Sequence, residues 1–305
     1  MAGAGSSLKK WPEVRDKLLA LGIDFYDLRT QYAGHATILA REAIKEGARH
    51  FIAMGGDGTV NEIANGILGQ SVCPSTDILL TQIPLGTGND WSRTMGIPKK
   101  LSRLGELFEN GVEIVQDVGL VGWHNTSNQQ KQRYFVNMAG MGFDAYVGKI
   151  AALKKAKGKS GKMGYLSALI SGLWSYQTNP IELKIDNQHI EDYDLFSLSV
   201  GICKYSGAGM LQCPDAIYDD GLLELTLIDK ISKMKVVFNI PKLFNGKFVR
   251  NKEVHQFKGH HIDIFTTKKT LLEIDGEVIG EGSAHFSILP KQLKVLGIPD
   301  SPSKL

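Results

Sequence analysis

Two glycine-rich segments constrain this chain most. GGDGTVNEIANG (55–66) follows the short apolar run 51–54, and PLGTGND (84–90) follows the apolar run 78–83. The first glycine cluster stands between a predicted strand and a helical stretch, and the second also follows a strand. A strand, a tight glycine turn and a helix, repeated, is the pattern of a parallel sheet with helices on its faces. In such a sheet the turns after neighbouring strands emerge at the same edge, so two of them can build one crevice. The first amides of a helix lack intrahelical partners and carry the positive end of its dipole, which suits an anion. Glycine lets phosphate oxygens approach the main chain.

The chain of 305 residues suggests two domains at about 150 residues each. With 35 basic and 32 acidic residues the charge is nearly balanced, and no nucleic-acid partner is expected. The cysteines, Cys73, Cys203 and Cys213, form neither a disulfide framework nor a zinc spacing. They suit a reducing, cytoplasmic setting. No apolar run reaches the roughly 18 residues that span a bilayer.

The first third reads as alternating elements. A helix is predicted at 11–20, a strand at 23–29, a helix at 35–46, strands at 51–54 and 78–83, and a helix over VNEIANGIL (60–68). After about residue 117 strands dominate: 133–140, 181–186, 195–202, 222–228, 261–267 and 271–279. The expected fold class is α/β + β. An α/β nucleotide-binding domain (1–117, with about 292–305) precedes a mainly antiparallel β-sandwich (118–291). Residues 124–132 are expected as a hairpin loop, and His255, His260 and His261 on a surface loop without metal.

Two further clusters carry acidic residues. CPDAIYDDGLL (213–223) is a carboxylate-rich turn of the kind a hard cation accepts, or a plain solvated turn. In EIDGE (273–277), an unbroken strand would place Glu273, Asp275 and Glu277 on one face. An Asp-Gly hairpin turn there would separate them. No GxxxxGK[ST], kinase HRD/DFG pair, HExxH or GxSxG occurs.

GGDGTVNEIANG, PLGTGND, the PDA–DDGLL segment and the late DGE, in that order, resemble the diacylglycerol kinase catalytic family, in particular its soluble bacterial diacylglycerol and sphingosine kinase-like members. The resemblance runs from about residue 8 to the C-terminus. It implies ATP bound in a cleft between two domains and transfer of the γ-phosphoryl group to a lipid hydroxyl. It implies that Gly55, Gly56, Asp57, Gly58, Thr59, Val60, Asn61 and Glu62 hold the ATP phosphates. Thr30, Gly86, Thr87 and Asn89 would also contact nucleotide. Asp57 would reach Mg²⁺ through water. Ile217, Asp220 and Leu222 resemble a metal site, the first and last through carbonyls. Glu277 matches the proton acceptor, with Asp275 beside it and Asp57 as the other candidate. Family members open with an apolar strand and an NPxxG-type turn; this sequence opens at MAGAGSSLKK. Restoring such a strand is expected to raise thermal stability.

A lipid substrate implies a peripheral membrane surface. Lys149, Lys154, Lys155, Lys157, Lys159 and Lys162 form one basic run. Lys242, Lys247, Arg250, Lys252 and Lys258 form a looser one. Residues 149–176, with LSALISGLW as the apolar part, are expected either to dock on a membrane or to form a solvated helix followed by a core helix. A homodimer is an open possibility. The rival functions are an NAD kinase-like enzyme and a non-catalytic nucleotide- or lipid-binding protein.

Overall fold

The computed structural model describes residues 6–125, 127–156 and 162–298. The chain divides into two units, residues 1–116 with 291–305, and residues 117–290.

In the first unit, α1 (Ser6–Ala20) and α2 (His35–Lys45) precede β1 (His50–Gly55), α3 (Asp57–Leu68), β2 (Leu79–Pro84), α4 (Asp90–Thr94) and α5 (Leu104–Asn110). β1 and β2 pair in parallel, from His50 opposite Leu79 to Gly55 opposite Pro84. The two strands thus end level, and both glycine turns leave the sheet side by side. α3 buries Val60, Ala64 and Ile67, spaced at helical periodicity, against the sheet core that includes Ala53 and Leu80. Trp91 and Met95 are also fully buried.

Residues 23–29 do not form the predicted strand. Tyr26 and Leu28, which would supply an apolar face, lie exposed, and a strand without a hydrogen-bonded neighbour has no reason to persist.

β3 (Val112–His124) leads into the second unit. There follow β4 (Gln130–Phe135), β5 (Met138–Gly142), α6 (Phe143–Ala156), α7 (Lys162–Ser175), β6 (Asn179–Ile185) and β7 (Gln188–Leu195). Next come β8 (Ser197–Gly201), the short β9 (Tyr205–Ser206) and β10 (Met210–Leu211), β11 (Leu223–Ile228) and α8 (Lys233–Leu243). The chain closes with β12 (Val254–Gly259), β13 (His261–Thr266), β14 (Leu271–Ile274), β15 (Glu277–Glu281) and β16 (Ala284–Gly297). Strands β12-β11-β8-β5-β14-β15 form one antiparallel sheet. β16, β13, β6 and β7 pair antiparallel in a second. Lys294 and Val295, in the part of β16 that belongs to the first unit, pair in parallel with β2. The expected α/β unit followed by a mainly antiparallel sandwich is the observed architecture.

Three predicted strands are interrupted. The 133–140 run breaks at Val136-Asn137, whose amides are drawn to a side chain. The 195–202 run breaks at Phe196, where the chain steps from β7, in one sheet, to β8, in the other. The 271–279 run turns back at Asp275-Gly276. Both residues have positive φ, 46° and 83°, and Ile274 pairs with Glu277 across them. This is the primed two-residue hairpin turn that Asp-Gly favours.

His255 and His261 lie in strands rather than on a loop, and His260 lies at the exposed bend between β12 and β13. His255 in β12 packs its ring 5.0 Å from that of Tyr193. The amides of His260 and His261 both donate to Asp186 Oδ1 at 2.9 Å, where the chain passes from one sheet to the other.

LSALISGLW is helical in α7. Ala168, Leu169 and Leu173 enter a core with Phe143, Val147 and Phe196, while Ile170 and Trp174 face outward. The stretch thus has one side in the core and one side exposed. The side chains of Lys155, Lys157, Lys159 and Lys162 lie outside the described residues.

Candidate active site

The glycine turns of the first unit touch through their backbones. A Cβ at Gly86 would stand 2.5 Å from Gly56 Cα, and one at Gly56 would stand 3.2 Å from Gly86 Cα. Leu85 N donates to Gly55 O at 2.9 Å, and Gln82 Nε2 donates to the same oxygen at 3.0 Å. Only glycine permits this approach. Gly55 is further constrained, because Thr59 folds its side chain back over it.

The second turn locks itself. Asn89 has left-handed backbone (φ 52°), Oδ1 accepts from Gly86 N at 3.0 Å, and Nδ2 donates to Gly86 O at 2.7 Å. Thr87 is left exposed at the tip. Lys99 Nζ donates to Gly88 O at 3.2 Å, which brings a cation to the same turn.

Asp57 opens α3 and accepts from Trp91 N at 3.1 Å through Oδ1. Its Oδ2 and the Oδ2 of Asp90 both border Gly88. They lie 3.1 Å and 3.0 Å from where a Cβ of Gly88 would be. Asp90 is 4% exposed, with Arg93 Nε at 3.9 Å from Oδ1. Two carboxylates converging on a residue without a side chain form an oxygen-only donor set that fits a hard dication such as Mg²⁺. The sequence reading does not single out Asp90, Lys99 or Arg93. The ND pair that ends PLGTGND is the signal that could have found Asp90.

Val60 and Asn61 are fully buried. Asn61 O accepts from Asn65 Nδ2 at 2.9 Å. Glu62 does not face the glycine turns' amides with its carboxylate. Oε1 accepts from Gly34 N at 2.9 Å and Oε2 from Ala36 N at 3.0 Å, which caps α2 and ties down the end of the loop carrying Thr30. Thr30 itself is half-buried in that loop.

In the second unit the DGE residues separate. Asp275, 6% exposed, accepts from the amides of Val136 (3.1 Å), Asn137 (3.1 Å) and Met138 (2.9 Å). Those three bonds break the 133–140 strand. They commit the carboxylate to holding the β4–β5 junction. Glu277 is exposed and pairs with Arg133 at 2.9 Å.

Glu273 lies elsewhere. Its two oxygens press against Gly140 of β5 and Gly148 of α6, 3.1 Å and 2.6 Å from where their Cβ atoms would be. Asp144 adjoins it. Ser199 Oγ donates to Asp144 Oδ2 at 3.0 Å, and Asp144 N donates to Ser197 Oγ at 3.2 Å. Burial, with the neighbouring carboxylates of Asp144 and Asp275, pushes Glu273 up to about 8. Burial pushes Asp144 up to about 6 against the serine hydrogen bonds. Asp144 also lines a largely apolar cavity walled by Leu169, Phe196, Val236, Leu243 and Phe248. An acidic end on a greasy cavity is one way to present a polar head on an apolar body. Nothing in the linear spacing of Asp144 announces it.

The 217–222 turn is built by a residue the motif reading omits. Asp117 N donates to Tyr218 O, and Asp117 Oδ2 accepts from Gly221 N, both at 2.7 Å. Asp220 Oδ1 accepts from Leu222 N at 3.0 Å, and its Oδ2 faces Lys258 Nζ at 3.9 Å. Asp220 therefore has an ammonium beside it, as Asp90 has a guanidinium. Ile217 and Leu222 would contribute main-chain carbonyls, as the resemblance implies. Among the described residues no group of three His, Cys, Asp or Glu side chains is arranged to hold a metal.

Residues 1–121 match the diacylglycerol kinase catalytic domain, and residues 137–297 match the YegS C-terminal NAD kinase beta sandwich-like domain. The chain is 28% identical over 302 residues to a protein of Shigella boydii serotype 18 named probable lipid kinase YegS, covering 98% of this chain and 95% of that one. A protein of the same name from Escherichia coli O9:H4 matches to the same extent. A solved diacylglycerol kinase structure from Bacillus anthracis str. Sterne shares the fold at 23% identity, with a TM-score of 0.67 over 93% of this chain and 92% of that one. Another chain from that strain superposes with a TM-score of 0.75 at 24% identity, over 98% and 94%. By its catalytic and C-terminal domains together, the chain belongs to the diacylglycerol kinase catalytic family of lipid kinases.

Proposed function

We propose that this protein transfers the γ-phosphoryl group of ATP to a hydroxyl of diacylglycerol or a related lipid, at the surface of a membrane and on its cytoplasmic side. The observation that carries the donor half is the backbone contact between Gly56 and Gly86. It keeps the start of α3 clear of side chains, so that Gly56 and Gly58 offer their main chain to phosphate oxygens. Thr87 stands on the neighbouring turn and Lys99 donates to it, where a polyphosphate would need a hydroxyl and a cation.

Phosphoryl transfer asks for positioning and charge neutralisation more than for covalent help. Asp57 and Asp90 would hold Mg²⁺, which supplies neutralisation of the phosphate charge when bound. Trp91 N fixes one oxygen of Asp57, so its other oxygen is directed toward Gly88. On the acceptor side, Glu277 is the carboxylate left accessible by the hairpin turn. Arg133 orients it, and it would take the proton of the attacking hydroxyl. Asp275 acts as a positioning residue, holding the β4–β5 junction against which that hairpin sits. The apolar cavity ending on Asp144 supports a lipid rather than a soluble acceptor.

The test is label transfer from [γ-³²P]ATP to a panel of diacylglycerol, sphingosine, ceramide and glycerophospholipids in mixed micelles, with NAD as control. A labelled lipid, lost in Glu277→Gln, is the expected result. Label in NAD alone, or in no acceptor, would overturn the reading.

A further inference from the structure

α8 is apolar on two faces. Val236, Ile240 and Leu243 point inward and pack on the core of α6 and α7. Met234, Val237, Phe238, Pro241 and Phe244 recur at i, i+3, i+4, i+7 and i+10, which places them on one outward stripe. Phe238 is 73% exposed and Met234 55%. A helix apolar on both sides is ordinarily buried, yet this outer stripe is open.

The segment around it is rich in cations. From Lys230 to Lys252 the sequence holds Lys230, Lys233, Lys235, Lys242, Lys247, Arg250 and Lys252 and no acidic residue. Lys235 is neutralised by Glu253 at 2.6 Å, and Lys230 approaches Asp194 at 3.5 Å. Lys242, Lys247 and Arg250 have no ion-pair partner among the described residues, while Lys252 adjoins Glu253. At the first turn of α8, Lys233 Nζ lies 5.9 Å from the ring centroid of Trp174, itself 59% exposed. The indole therefore adjoins the stripe.

An apolar stripe headed by an aromatic and flanked by unpaired cations is complementary to a bilayer bearing anionic headgroups: rings and thioether enter the acyl boundary, and lysines meet phosphates. The 3-10 turn Lys247–Arg250, just beyond α8, adds two such cations. We infer that the outer face of α8, with Trp174 and the segment to Lys252, is the surface by which this protein docks on an anionic bilayer. The inference deepens the lipid-kinase reading and rests on it for the choice of occupant. Residue placement explains the rest: the inner face of the same helix lines the apolar cavity with Val236, Asn239 and Leu243. Asn239 is 8% exposed, and its Oδ1 has no hydrogen-bond partner. A docked α8 thus sets the bilayer against the outer side of the cavity's own wall.

The experiment is co-sedimentation of the full chain with vesicles of phosphatidylcholine alone or mixed with phosphatidylglycerol, at low and high salt. Transfer to a short-chain, monomeric diacylglycerol is measured in parallel. The expected result is binding to the anionic vesicles that salt weakens. Phe238→Asp, and separately Lys242→Glu with Lys247→Glu, should each lower the partition coefficient about tenfold or more. The thermal midpoint and the transfer rate to the monomeric lipid should be unchanged. Unchanged vesicle binding in both variants overturns the inference. So does a wild-type dimer in sedimentation velocity that Phe238→Asp converts to monomer, since a second copy would then cover the stripe. Vesicle binding without transfer to any lipid would leave the docking surface standing and remove the kinase reading instead.

Discussion

A methyl group at Gly86 would stand 2.5 Å from Gly56 Cα and 2.7 Å from Asn89 Oδ1, and backbone cannot swing aside as a flexible side chain can. Gly86→Ala should therefore separate the two turns, at a cost of about 1–3 kcal/mol of overpacking strain. Isothermal titration with ATP is expected to show at least a tenfold loss of affinity, while the β-sandwich unit stays folded. Unchanged affinity would mean that the contact is incidental. Glu273 allows a second test at this scale. The folded chain holds a proton on it up to about pH 8, whereas an ordinary glutamate releases its proton near 4.5. The native state thus binds more protons than the unfolded state in that window, and stability falls as pH rises through it. Asp144, raised to about 6, adds to the slope in the lower part. The thermal midpoint should decline between about pH 5 and about pH 8, and Glu273→Gln should flatten most of that decline. Parallel slopes in the two proteins would contradict the placement of Glu273.

At the scale of elements, side chains that look chemical in the sequence turn out to hold structure. Glu62 sits in the glycine-loop motif but caps α2 through Gly34 and Ala36. Glu62→Ala should cost about 1 kcal/mol and speed hydrogen exchange in residues 30–36, readable by mass spectrometry; unchanged exchange there would contradict the cap. Asp275 holds three amides at the β4–β5 junction. Asp275→Ala leaves those buried donors unmet, so a loss of about 3 kcal/mol or more in chemical denaturation is expected. A loss of activity with full stability would instead make Asp275 a proton acceptor. The helices and strands of the first unit were legible because their signals are local: apolar periodicity, then glycine, then a capping residue. The strand expected at 23–29 failed because alternation describes a face, not a neighbour to pair with. The turn at Asp275-Gly276 was visible as one of two readings, and only the pairing of Ile274 with Glu277 decides between them.

For the whole molecule, the order of motifs was enough to anticipate an α/β unit followed by an antiparallel sandwich, and the family to which the chain belongs. What sequence could not show is convergence across long separations. Asp144, Ser199 and Glu273 meet through three strands and a helix, and Asp90 joins Asp57 only because β1 and β2 end level. No helix among the described residues is long and apolar enough to cross a membrane. The α8 stripe is the surface inferred above to meet lipid.

The central claim is that the acidic residue opening α3 serves phosphoryl transfer to a lipid. It is tested most directly by the initial rate of label transfer from [γ-³²P]ATP to diacylglycerol in mixed micelles, wild type against Asp57→Ala at saturating Mg²⁺. Loss of one oxygen-donor group at this position should lower the rate by at least about a hundredfold, with the thermal midpoint little changed. Equal rates in the two proteins, or no labelled lipid from the wild type, would contradict the account.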